Sequence, residues 1–180
     1  MTISKLDQEE IFYYFHEISN VPRGSKYNRK ISDYLVNFAK EHHLEYLQDE
    51  ALNVVIRKPA TKGYEQVPGI ILQGHMDMVC VKTEDSNHDF EKDALALLTD
   101  GESIWADGTS LGGDDGIAIA FGLAILASDR YEHPALELLV TTDEEIGMDG
   151  AIAFDGSFLK GKWMIILTLE KFHGVIIERV

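Results

Sequence analysis

Between residues 7 and 19 the apolar side chains Ile11, Phe12, Phe15 and Ile18 recur at helical spacing behind an acidic start of Asp7, Glu9 and Glu10, which suits the positive end of a helix. Val21-Pro22-Arg23-Gly24-Ser25 breaks that pattern. Ile31, Tyr34, Leu35 and Phe38 then line one face of a second helix, with Glu41-His42-His43 near its end. After this the period shortens. Residues 44–47 and 53–57 predict two strands joined by a polar turn, and 59–68 a loop carrying Gly63. Pro68-Gly69-Ile70-Ile71-Leu72-Gln73 is a short β-branched run bounded by turn residues, the signature of a buried strand. Residues 82–100 are polar and irregular until Ala94, and 103–106 predict a short strand. Residues 117–126 are apolar nearly all round, which predicts a buried helix. Residues 135–141 and 162–167 predict two further strands, separated by a short helical or turn segment at 148–158. The tail beyond Leu167 predicts a strand hairpin. Strands alternating with helices predict an α/β fold, a mixed, mostly parallel sheet flanked by helices. No internal repeat or low-complexity linker divides the chain, so one domain is expected.

Polar chemistry gathers where these strands and helices meet loops. The strand ending near residue 75 runs into Gly74-His75-Met76-Asp77-Met78-Val79. In extended backbone, residues i and i+2 point to the same side, so His75 and Asp77 leave the carboxyl end of the strand together, at the edge where open α/β sheets place their sites. A metal-bound imidazole is oriented by donating its other N–H to a carboxylate; a surface histidine beside a surface aspartate is the plain alternative. Asp107-Gly108-Thr109-Ser110-Leu111-Gly112-Gly113-Asp114-Asp115-Gly116 delivers two carboxylates to a helix start. There they either cap orphan N–H groups or face a cation. Phosphate is disfavoured, because two aspartates repel it and no P-loop lysine follows. Thr142-Asp143-Glu144-Glu145-Ile146-Gly147 repeats the design of strand, acids and turn glycine. As neighbours, Glu144 and Glu145 are expected to point to different sides, so that one can bind metal while the other holds water; a simple acidic loop is the alternative.

Composition narrows the classes. The 180 residues suffice for one domain with a core, and 45% are apolar. The net charge of −15 repels nucleic acid and anionic membranes. The single cysteine, Cys80, forbids an internal disulfide and is expected to be a small buried residue after the strand. Residues 1–7 lack the apolar region of a signal peptide, and no apolar run is long enough to span a membrane. A cytoplasmic protein is expected. His16, His42 and His43 sit on helical patterns and are read as surface or helix-end residues.

Three separated loops thus offer His75 with Asp77, Asp114, and Glu144 with Glu145. Mixed imidazole and carboxylate donors suit zinc, manganese or cobalt. In these motifs, and in Ile18-Ser19-Asn20-Val21-Pro22-Arg23-Gly24-Ser25, the chain resembles the M20-type zinc metallopeptidases, with its closer similarity to their aminoacyl-histidine dipeptidase branch, the Xaa-His or cytosol non-specific dipeptidases. Order and spacing agree from residue 7 to about 167. The resemblance implies a two-zinc centre (manganese or cobalt being substitutes) acting on small peptides. His75 would bind one metal, Asp114 bridge both and Glu145 bind the second; Asp77 would orient His75 and Glu144 serve as general base. It also implies that residues 1–180 are the N-terminal portion of an incomplete catalytic domain, with the lid domain and C-terminal part absent. The chain departs from the pattern at Thr168-Leu169-Glu170, where relatives carry an Asp-Ser-Glu ligand segment, and His173 does not replace their C-terminal histidine ligand. A truncated or frameshifted product with impaired hydrolysis is therefore expected; the alternative is an inactive fragment that binds metal weakly or self-associates.

Overall fold

The computed structural model describes residues 5–167 and 176–179. Two helices come first, α1 (Lys5–Ser19) and α2 (Arg29–Glu41), followed by strands β1 (Glu45–Gln48), β2 (Val54–Lys58) and β3 (Ile70–His75). A small hairpin of β4 (Leu97–Thr99) and β5 (Ile104–Ala106) precedes α3 (Gly113–Ala127) and β6 (Leu136–Thr141). The short helix α4 (Asp149–Ala153), β7 (Trp163–Ile166) and β8 (Ile176–Arg179) complete the order.

The main sheet runs β1-β2-β6-β3-β7-β8. Its centre is parallel, β3 pairing with β6 on one side and β7 on the other. Its flanks are antiparallel, at β1–β2, β2–β6 and β7–β8. This is the expected mixed α/β sheet, and the parallel core follows from the crossovers through α3 and α4. In the tail, β8 pairs antiparallel with β7; residues 168–175 of the expected hairpin, Thr168, Glu170 and His173 among them, lie outside the described residues.

Period-2 alternation sorts the strand side chains onto two faces. Val54, Ile56, Leu72, Leu136, Leu138 and Val140 join Phe15, Ile18, Leu35, Ile119 and Leu123 in the main core under the helices. Val55, Ile71 and Leu139 form a smaller cluster on the other face, covered by Phe154, Leu159 and Met164. The helix α3 comes so near the sheet at Gly122 that a Cβ there would lie 2.5 Å from Leu138 Cδ1.

The topology fixes where the chemistry goes. In the parallel pair β3–β6, His75 is in register with Thr141, so the loops after both strands leave the same sheet edge side by side. The start of α3 reaches that edge as well, because Asp115 accepts a hydrogen bond from the backbone of His75.

Candidate metal centre

His75 closes β3 with 4% of its surface exposed. Its Nδ1 lies 3.3 Å from Asp77 Oδ1 and 3.1 Å from the Asp77 carbonyl. That leaves Nε2 facing outward, 3.4 Å from Asp114 Oδ1 and 3.7 Å from Glu144 Oε2. One ligand atom from each of His75, Glu144 and Glu145 lies within 4.8 Å of the others.

Asp77 is fully buried and organises what surrounds it. Its carboxylate accepts from Ser25 Oγ at 2.8 Å and from the backbone N–H groups of Glu144 at 3.0 Å and Glu145 at 3.3 Å. The acidic turn is thereby bonded to the carboxylate that faces the imidazole. Asp143, at φ 53°, anchors the turn from outside, its Oδ1 accepting from the Lys26 backbone at 2.6 Å and from Asn28 Nδ2 at 2.7 Å. Asn53 holds the turn's flanks, accepting from Thr142 N at 3.0 Å and donating to the Gly150 carbonyl at 2.9 Å.

The two aspartates at the start of α3 part company. Asp114 is 46% exposed at its side chain and faces His75. Asp115 is buried at 1%; its Oδ2 accepts the His75 N–H at 3.0 Å and its Oδ1 has no hydrogen-bond partner. Asp115 needs the room left by Gly74, where a Cβ would sit 2.5 Å from Oδ2.

Crowded acids around one base shift their titrations. Burial of His75 disfavours its charge, but the bond to Asp77 and the charges of Asp115, Asp77 and Glu144 outweigh it, and the imidazole is pushed up to about 9. Burial would raise Asp77, yet the bonds from His75, Ser25 and the Glu144 backbone hold it below its ordinary value. Burial pushes Asp115 up to about 8, against the pull of His75. Burial also raises Glu145; His75 opposes this, and the neighbouring Glu144, Asp114 and Asp77 carboxylates reinforce it. A carboxylate cluster short of positive charge around an outward Nε2 has the donor chemistry of a divalent cation site.

Two expectations are corrected by this geometry. Glu144 and Glu145 do not diverge, because Glu144–Ile146 is a turn of 3₁₀ helix and not extended backbone, and both side chains reach the His75 side. Cys80 is exposed, not buried, because the chain leaves the core directly after Met78. His16, His42 and His43 are exposed, as read. Ser25, Asn28 and Asn53 support the centre with little signal in the sequence, as single polar residues in loops, although Ser25 closes the stretch that carries the resemblance; Asp143 lies within the acidic motif but anchors the turn and is not among the gathered donors.

No family model matches the chain. The fold recurs in a solved tripeptidase structure from Staphylococcus aureus, 21% identical, with a TM-score of 0.75 over 90% of this chain and 43% of that one. The nearer kinship is narrower. The chain is 40% identical over 169 residues to the cytosol non-specific dipeptidase of Escherichia coli, covering 94% of this chain and 35% of the relative. The aminoacylhistidine dipeptidase of Vibrio alginolyticus superposes with a TM-score of 0.87 at 39% identity, over 95% of this chain and 34% of that one. The expected resemblance to the aminoacyl-histidine dipeptidases is thus shown, and the chain spans about a third of the length of these relatives. Among the described residues, no helix is long and apolar enough to cross a membrane.

Proposed function

We propose that this chain carries part of a metal-dependent dipeptidase centre, within the catalytic domain of a cytosolic enzyme acting on small peptides of the Xaa-His type. The observation that supports it most is the meeting of His75, Glu144 and Glu145 within 4.8 Å of one another; Asp114 stands outside that group but 3.4 Å from His75 Nε2. His75, Asp114 and Glu145 would hold the metal, zinc in the first instance, with manganese or cobalt able to replace it. Bound there, the ion supplies Lewis acidity and lowers the pKa of a water. Asp77 keeps Nδ1 engaged so that Nε2 is the free donor. Glu144, 41% exposed at its side chain, would take a proton from the attacking water and return it to the leaving amine.

A second reading rests on the partly buried apolar side chains Phe154, Leu159 and Met164 on one sheet face, although the cavity of about 520 Å³ that they border also opens onto His75, Asp115 and Glu144. On that reading the chain binds metal and self-associates without turning over substrate. Titration calorimetry with zinc, followed by an Xaa-His dipeptide hydrolysis assay and sedimentation, separates the two. Metal binding lost in His75→Ala and Glu145→Gln supports the centre. We expect little turnover by these 180 residues; robust turnover abolished by Glu144→Ala would remove the second reading. Absence of any metal binding would remove both.

A further inference from the structure

Behind the centre lies a buried cation that the chemistry above does not use. Arg23 is 2% exposed. Its Nη2 donates to the Gly112 carbonyl at 2.6 Å and its Nη1 to the Met76 carbonyl at 3.4 Å. Met76 stands between His75 and Asp77, and Gly112 stands two residues before Asp114. One planar group therefore spans the two segments that bring their side chains together at His75 Nε2. The backbone of Arg23 is fastened to the same place, its carbonyl accepting from Met78 N at 3.1 Å, with Gly24 and Met78 bridged in parallel.

The surrounding sequence is shaped to admit this group. A Cβ on Gly112 would lie 2.5 Å from Nη2 and one on Gly116 2.6 Å, so both glycines leave space for the guanidinium. Its Nε has no hydrogen-bond partner. An unpartnered buried donor on a buried charge is costly, and an apolar side chain would fill the space more cheaply. Its charge acts on the buried Asp115 and Asp77 carboxylates, which offset part of that cost. The fork adds what a point charge does not, two donors aimed at carbonyls on separate segments, which a lysine cannot reproduce.

We propose that Arg23 is a positioning residue for the candidate centre, setting the separation between the His75–Asp77 segment and the Asp114 loop. The assignment rests on the metal reading given above. Arg23 touches neither metal nor substrate; it acts through Met76 and Gly112. Groups behind metal ligands typically change affinity about 10- to 100-fold when altered.

The test compares the unaltered chain with Arg23→Lys and Arg23→Met. Zinc affinity is read by titration calorimetry, the visible spectrum of the cobalt-loaded chain reports ligand geometry, and thermal unfolding of the metal-free chain reports stability. Both variants are expected to bind zinc at least about 10-fold more weakly and to give an altered cobalt spectrum while folded. Tighter binding by Arg23→Met would show that charge, not placement, dominates and would overturn the proposal. Lower stability with unchanged affinity and spectrum, or failure of both variants to fold, would reduce Arg23 to a structural residue and overturn it as well. If the unaltered chain binds neither zinc nor cobalt, the metal reading itself falls and takes this assignment with it. Equal binding by all three chains overturns Arg23 alone.

Discussion

His75 and Asp115 both hold protons more tightly than in an unfolded chain, His75 rising from 6.5 to about 9 and Asp115 from 3.8 to about 8. The folded chain then binds more protons than the unfolded one over that span, and stability falls as pH rises. The Asp115 contribution is complete below its unfolded value and lost through about 8; that of His75 is complete below 6.5 and lost through about 9. Urea unfolding of the metal-free chain at pH 5, 7 and 9 is expected to show a monotonic decline, and Asp115→Asn to flatten its lower part. A profile that rises with pH would contradict the proton placement. A divalent ion competes for the seat of the His75 proton, so zinc affinity is expected to climb across the same span. Asp77→Asn removes the charged acceptor facing Nδ1 and is expected to weaken zinc about 10- to 100-fold in a calorimetric titration. At this scale the sequence was readable where backbone geometry is simple. His75 and Asp77 follow from i, i+2 alternation at a strand end. Glu144 with Glu145 was misread because a 3₁₀ turn replaces the assumed extended segment, and nothing in two adjacent glutamates announces that. Asp115, bonded to the His75 backbone, gives way to Asp114 in the sequence reading; its burial depends on Gly74 making room, a contact between residues 74 and 115 that no local pattern announces.

Among the elements, the seam between α3 and β6 offers a direct test of packing. Leu138 is 1% exposed and Gly122 sits against it. Leu138→Ala is expected to cost about 2–5 kcal/mol by urea unfolding. Gly122→Ala alone is expected to destabilise by about 1–3 kcal/mol through overpacking. Combined, the two are expected to cost less than their sum, since the methyl added on α3 enters the space vacated on β6. Strict additivity would show that the helix shifts instead. The long elements were legible because their periods are strong: apolar 117–126 became the interior of α3, and 135–141 and 68–73 became β6 and β3 within a residue or two. The two aspartates stand at the opening of α3 in non-helical backbone, so its regular turns start beside the expected residue 117. Strand order was not legible. β6 slots between β2 and β3, a pairing of distant segments that leaves no local trace in the chain.

For the whole molecule, the −15 charge and the carboxylates around His75 act in the same direction. Divalent-ion affinity is expected to fall as sodium chloride is raised from about 0.01 to 1 M, over which the screening length shrinks from about 30 to 3 Å; calorimetry at fixed pH reads it directly. The described residues also tie the first forty positions to the far end of the sheet edge. Lys26 and Asn28 grip the carboxylate of Asp143, and Ser25 grips that of Asp77. A protease cut inside this short bend would leave every strand and every candidate donor in place. It would loosen the outer anchor of the acidic turn while Asp77 and Asn53 still hold it, so the spacing of the centre's carboxylates is expected to depend in part on a peptide bond that carries none of them.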